Sequence, residues 1–555
     1  PPPPPTQPAT RRQRQMCIRD SYWPDRGGNA RLGPANRVIY VQANPAATAL
    51  PHLHYRWVFA ASLLLSAWLI WLDPLINRDA IIYLRSADAY LQEGLRAAQQ
   101  LHGRPILAVL MAWLHQLSGL SLMHAGLFIT TLAYALLCTS FVACVRLLGG
   151  NRTVQIIAAV VVLSHPWLNH IRSSIMRDPA YWALVILAFR ELLLYTRQPN
   201  LIIRLRWFLY ILLASLFRFE GVFFALFAPV CLLFTRNLEH RLRHCLLLLA
   251  PQLITLGLTV TAVLVYRSQQ TDSSPLFPAI HYYLQGMMGF PAAFSALAAE
   301  VADPLLRFTS RDDASWAVAA SLAIVLLLNL CRALSWPWLL TLVLGIRAGL
   351  VRQFRPDDKA LLHGHLLIAC AYLAAFILIN RFMLERYSMQ VVIFLLLYLP
   401  FILGAMWHSG GWRKYLAIVL LAGMTADTLH NGDHEKAFIA EAAQWVKENT
   451  DEHASLVSNE KYIAYFSDRE FDWVAIQGRR FALGQILETP RLWRDRDYMV
   501  MYVKAKREQR WARFLEENQL QESRSFGGGR KGRVVVVNVA EGPAIKPRRN
   551  GQTRP

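Results

Sequence analysis

The chain is short of cysteine, of acid and of charge in general. It has 7 cysteines in 555 residues, and Cys138, Cys144, Cys231, Cys245, Cys331 and Cys370 lie in or at the ends of apolar runs. With no CxxC and no Cys/His metal spacing, this is neither a disulfide framework nor a zinc motif, and the thiols read as small buried hydrophobes. Charged residues are only 17% of the chain against 54% hydrophobic, with a mean hydropathy of +0.27. That balance excludes an ordinary soluble protein of this length. No internal repeat of the kind many transporters carry is present. Gly527-Gly528-Gly529 is not followed by a helical pattern, so it reads as a hairpin turn rather than a phosphate loop.

Long apolar runs are what the chain has in quantity. A hydrocarbon core of about 30 Å needs about 20 apolar residues in helix. Runs at 57–73, 121–147, 153–169, 180–196, 207–217, 221–235, 245–266, 315–333, 361–380, 390–408 and 414–430 give roughly eleven spans. The fold class is therefore a polytopic α-helical membrane protein. The basic excess (58 Lys and Arg against 37 Asp and Glu, net +21) sits between runs, at Arg146 and Arg152, at Arg197, Arg204 and Arg206, at Arg236, Arg241 and Arg243, and at Arg413 with Lys414. This is the positive-inside pattern, with contact to anionic lipids second and no nucleic-acid partner implied. If 105–118 and 336–350 lie in the interface rather than cross, all four clusters share the cytoplasmic side. Asp79, Asp178, Arg218 and Arg386 then share the other.

The expected organisation follows. Residues 1–21, opening on Pro1–Pro5, read as a non-native or disordered leader, and 22–55 as a cytoplasmic segment. Residues 56–430 form the membrane domain, with outer loops at 74–120, 170–179 and 267–314. Within the first loop, 79–98 reads as an amphipathic surface helix with Ala80, Tyr83, Leu84, Ala87, Leu91 and Leu95 on one face. The third loop is long enough to act as a lid. Residues 431–541 read as a small extracytoplasmic α/β domain. It has a helix over 434–448, strand-like runs at 455–458, 471–476, 497–503 and 533–538, and a helix near 505–518. Residues 542–555 read as a disordered tail.

Charges in so apolar a chain are costly, so their positions carry information. Asp79 directly follows the first run, in Asn77-Arg78-Asp79-Ala80. Asp178, flanked by Arg172 and Arg177, opens another run at Asp178-Pro179. Arg218-Phe219-Glu220-Gly221 interrupts a third, and Arg386-Tyr387 precedes a fourth. Arg104-Pro105, near His102, precedes the short run at 105–118. Each has a plain structural reading too: a helix N-cap for Asp79, a helix start for Asp178, a local Arg218–Glu220 pair, and interface anchors for Arg104, Arg386 and Tyr387. His165, His170 and His281 show no metal spacing, and His165-Pro166 reads as the end of a span.

The order of these features resembles the GT-C class of membrane glycosyltransferases. It is nearest to the protein mannosyltransferases and the lipid A aminoarabinose transferases (glycosyltransferase family 39-like), over about residues 56–430. The resemblance implies an enzyme at the outer face of a bacterial inner membrane. Such an enzyme moves a sugar from a polyprenyl-phosphate donor to a hydroxyl of a lipid, glycan or protein, in one inverting displacement. It implies catalytic roles for Asp79 and Asp178, contacts to the donor phosphate for Arg104, Arg218 and Arg386, and substrate contacts for Arg78, Tyr83, Arg177, Glu220 and Tyr387. Where the family has Asp-Glu this chain has Asp79-Ala80, so one acid is missing, and a divalent metal is left open with no ligand set assigned. Three other classes remain, of which the first two are a transporter or flippase and a polymerase or ligase of lipid-linked sugars. A non-catalytic membrane scaffold is the third. Only the transferase reading makes the Asp79 carboxylate indispensable.

Overall fold

The structure, a computed structural model, describes residues 53–73, 75–268, 278–305, 308–350, 354–430, 437–469, 482–528 and 531–540. The described residues all belong to one compact unit, Leu50–Pro555. The expectations for the leader, the strand at 471–476 and the tail lie outside the described residues.

The first helix, α1 (Tyr55–Leu72), buries Val58, Ser62, Ser66 and Leu69 at i, i+4, i+4, i+3 spacing and turns Trp57, Leu64 and Trp71 outward. An apolar outward face on an apolar helix is what a lipid solvent requires. The helices α2 (Arg78–Glu93), α3 (Leu95–Leu101) and α4 (Ile106–Ser118) follow. The single helix expected over 79–98 is broken at Gly94, whose φ of 85° ends one helix and re-aims the next. Ala80, Tyr83, Leu84 and Ala87 are buried as their spacing predicts, but Leu95, beyond the break, is 51% exposed.

The centre of the bundle is α8 (Asp178–Tyr195), largely apolar and buried along most of its length between α5 (Leu122–Leu147) and α9 (Leu201–Phe217). The run expected to span 153–169 instead stops at Leu163. There α6 (Arg152–Leu163) gives way to the short α7 (Pro166–His170), because Pro166 supplies no N–H to continue the ladder. After α10 (Gly221–Phe227) come α11 (Arg241–Ser268) and α12 (Pro278–Leu305). The segment 267–314, expected as an outer loop, thus contains a 28-residue helix. Its alanine-rich stretch favours helix over coil. The remaining bundle helices are α13 (Ala314–Leu334), α14 (Trp336–Arg347), α15 (Pro356–Asn380), α16 (Glu385–Leu396), α17 (Leu399–Ser409) and α18 (Gly411–His430).

Among the described residues, five helices (α1, α5, α11, α13 and α15) are long and apolar enough to cross a membrane. The number is six if α16 and α17, bent by 42° ahead of Pro400, form one broken span. The eleven runs of the sequence include several that end in short or bent helices, as at 153–169 and 221–235.

Beyond the bundle, α19 (Ala437–Asn449) and α20 (Lys461–Phe466) accompany a four-stranded sheet of order β1-β2-β4-β3. Strand β1 (Leu456–Ser458) runs parallel to β2 (Tyr498–Val503). Strands β3 (Glu522–Gly527) and β4 (Arg533–Asn538) are antiparallel neighbours, which fits the hairpin read at the glycine run. The two faces follow the strand period. Val535 and Val537 pack with Trp511, Phe514 and Met499, while Val534 and Val536 join Ile439, Ala442 and the core of the helical bundle. Strand β3, rich in Ser, Arg and Gly, escaped the sequence reading because it is the exposed edge.

Candidate active site

Five chain breaks meet at one end of the bundle. They are the first turn of α2, the first turn of α8, the α9–α10 break, the first turn of α16 and the α3–α4 link. A cavity of about 180 Å³ opens between them, lined by Asp79, Ile82, Tyr83, His102, Arg177, Asp178, Arg218, Arg386 and Tyr387.

The two acids are held in place by bonds between the segment ahead of α2 and the segment ahead of α8. Asn77 donates to the carbonyl of Ile175 (3.3 Å) and accepts its N–H (2.9 Å), tying the start of α2 to the segment that leads into α8. Ser173 donates to Asp73 at 2.9 Å. Arg172 is fully buried and anchors the same segment to α1 through the Ser62 hydroxyl (2.9 Å), with its Nε donating to Asn169 (2.9 Å) and its guanidinium over the Tyr134 ring. The α9–α10 break depends on Gly221: a β-carbon there would lie 2.6 Å from the Ser215 backbone nitrogen. That approach places Arg218 and Glu220 between two apolar helices.

The charges are paired unequally. Arg386 Nη1 donates to Asp79 Oδ2 at 2.5 Å, a contact between residues 307 positions apart. Arg218 is shared by two carboxylates. Its Nη1 donates to Asp178, and its Nη2 and Nε form a fork on Glu220 at 2.5 and 3.2 Å. Arg177 lines the cavity and makes no ion pair among the described residues. The Tyr387 ring has two guanidinium groups close by, Arg218 at 5.1 Å and Arg386 at 5.3 Å from its centroid, within the range of a cation–π contact.

Two neutral groups complete the lining. Burial, with the neighbouring Arg177 charge, pushes His102 down to about 4, so the imidazole is uncharged near pH 7. Its ring sits 5.1 Å from that of Tyr83. Burial pushes the Tyr83 phenol up to about 12, which keeps it a hydrogen-bond donor.

Of the sequence-predicted site residues, Asp79, Asp178, Arg218, Arg386, Tyr83, Arg177 and Tyr387 are brought to this one cavity. Glu220 stands behind Arg218. Arg78 turns away from the cavity and pairs with Glu460 at 2.5 Å. Arg104 does not line the cavity; its N–H donates to His102 Nδ1 at 3.3 Å. His102, Asn77 and Glu460 were not assigned a role from the sequence. His102 had only its place beside Arg104 to mark it. Among the described residues no group of three or more His, Cys, Asp or Glu side chains is placed to hold a metal ion. Both cavity acids are already bound by guanidinium groups, so the donor set does not fit a divalent cation.

No family model matches the chain, and no curated protein matches it. Among solved structures it is similar to ArnT from Cupriavidus metallidurans bound to undecaprenyl phosphate, with 14% identity, a TM-score of 0.47, and coverage of 87% of this chain and 98% of that one. It is also similar to the oligosaccharyltransferase of Archaeoglobus fulgidus (13% identity, TM-score 0.44, 82% of this chain and 69% of that one). A third likeness is to the arabinofuranosyltransferase AftD from Mycobacteria (15% identity, TM-score 0.45), where 88% of this chain matches 40% of that one. All three are GT-C glycosyltransferases, the class the sequence resembles. At these identities and TM-scores the likeness carries none of the argument that follows, which rests on this chain's own residues.

Proposed function

We propose that the protein is an integral membrane glycosyltransferase that takes a sugar from a polyprenyl-phosphate donor and passes it to a hydroxyl acceptor. One observation carries the reading: two acids and three arginines from separate helix ends converge on a single cavity at one end of an apolar bundle. The sequence resemblance supplies the donor class, the outward face of a bacterial inner membrane, and a separate extracytoplasmic role for the C-terminal α/β region.

The chemistry needs little from the protein, because the lipid phosphate is already a leaving group. Asp79 accepts the acceptor's hydroxyl proton as that oxygen bonds to the anomeric carbon. The bond from the anomeric carbon to the phosphate oxygen breaks, and its electron pair leaves with the phosphate. Attack opposite to departure inverts the anomeric centre.

The pairing of Asp79 with Arg386 gives this step an electrostatic logic. Before reaction the two charges offset each other. When Asp79 takes the proton, Arg386 loses its counter-charge just as the phosphate gains a negative one. Stabilisation thereby grows along the reaction coordinate, which is where it accelerates a step. Arg177 has no carboxylate to release and is available to the donor phosphate from the start. Asp178 and Glu220 hold Arg218, and Tyr387, close to both Arg218 and Arg386, offers a platform for the sugar.

The test is turnover by the protein in lipid of a panel of polyprenyl-phosphate sugars, wild type against Asp79→Asn. Turnover that collapses by about a hundredfold or more in the folded variant supports a base-assisted transfer. Equal turnover removes Asp79 from the mechanism. No turnover with any donor, together with movement of donor lipid across the bilayer, points to a flippase instead.

A further inference from the structure

The first turn of α2 carries three successive residues held by three different parts of the chain. Asn77 is bound to the segment before α8 through Ile175, and Asp79 to α16 through Arg386. Arg78, between them, reaches the other way to Glu460, at the N-terminal end of α20 in the α/β region, with Nη2 and Oε2 2.5 Å apart. Successive residues on a helix point about 100° apart, so one turn can serve a cavity on one side and a clamp on another.

The Glu460 end of this contact is built for rigidity. Its side chain is 1% exposed. Its N–H donates to the Ser458 hydroxyl (3.0 Å) at the end of β1. The preceding Asn459 is locked to the middle of the sheet by a reciprocal pair with Tyr502, accepting its N–H at 2.7 Å and donating to its carbonyl at 2.9 Å. The carboxylate is therefore fixed to the sheet by its own main chain, and Arg78, more than half exposed, comes to it.

We propose that Glu460 is a positioning residue of the site: through Arg78 the α/β region fixes the first turn of α2, and with it the direction of Asp79. The inference rests on the transferase reading for its kinetic consequence, though not for its structural one. A carboxylate that must meet a hydroxyl at hydrogen-bond distance is sensitive to small displacements, and α2 has no other charged tie at its first turn than Arg78 and Asp79 among the described residues.

Two measurements on the full chain in lipid test it. Hydrogen exchange over residues 80–86 reads the anchoring without reference to activity. Glu460→Gln and Arg78→Gln are each expected to speed it about tenfold, the double variant no further, while the exchanged pair Arg78→Glu with Glu460→Arg restores most of the protection. Kinetics read the consequence: kcat falls about tenfold in each single variant with donor KM within twofold, and Arg78→Lys, which keeps the charge, retains most of the wild-type rate. Unchanged exchange in Glu460→Gln overturns the proposal even if the protein is a transferase. Loosened exchange with unchanged kcat overturns the positioning role. Loosened exchange in a protein whose wild type turns over no donor counts against the transferase reading and leaves the clamp standing as a structural fact.

Discussion

Arg218 is the residue whose environment predicts the largest and most unusual energetic signature. Its side chain is 7% exposed, and those of Asp178 and Glu220 are 4% and 9% exposed. Asp178→Asn removes one charge-assisted bond and leaves the guanidinium one carboxylate; Glu220→Gln does the same from the other side. Each loss costs about 1.5–3 kcal/mol. The double variant differs in kind, since it strands a buried cation with no carboxylate in contact, a penalty that neither single variant incurs. The double is therefore expected to exceed the sum of the singles by about 2–3 kcal/mol. Adding Arg218→Met to the double removes the stranded charge and recovers most of that excess. The assay is equilibrium unfolding in detergent for the five proteins under identical conditions. Additivity to within about 0.5 kcal/mol, or a neutral Glu220→Gln, would refute the claim that the two acids share one guanidinium.

Three further outcomes are expected. His102 carries a folded value of about 4 against an ordinary 6.5, so the folded protein binds fewer protons between those values. Stability is whole above about pH 6.5 and is lost as pH falls toward about 4, by at most about 3 kcal/mol and less because the ring edge opens on the cavity. The wild-type-minus-His102→Gln difference in unfolding free energy across this range should show it, and a flat difference would count against it. Gly221→Ala sets a β-carbon 2.6 Å from rigid backbone at Ser215; a destabilisation of about 1–3 kcal/mol and a disturbed Arg218 are expected, and a variant as stable as wild type would show that the α9–α10 break can relax. Arg177→Gln should lower kcat/KM for a polyprenyl-phosphate donor about thirtyfold to a hundredfold, the value of one charged contact. Arg177→Lys should be milder, and titration of the unglycosylated polyprenyl phosphate separates binding from catalysis.

How much of this was legible in the sequence depends on what each residue costs. Asp79, Asp178, Arg218 and Arg386 stood out because a charge in so apolar a chain must be paired, placed in a cavity or set at the surface. The convergence of seven predicted residues on one cavity follows from that economy of charge. What periodicity cannot show is which charge meets which. Arg386 meets Asp79 across 307 positions and Arg218 meets Asp178 across 40, and nothing local distinguishes these partners from Arg177, which pairs with neither. The same blindness explains Arg78, read as facing the site but paired instead with Glu460, 382 positions away. His102 carries no pattern at all: an isolated imidazole after Leu101 becomes informative only when the fold sets it against the Tyr83 ring and near Arg177. Helix ends failed for a further reason. A lone glycine inside a helical pattern does not by itself end the helix, so Gly94 gave no boundary, while His165-Pro166 marked one that the break after Leu163 bears out. The cavity formed at other ends, the first turns of α2, α8 and α16 and the α9–α10 break, where a charged residue beside an apolar run had already marked the boundary.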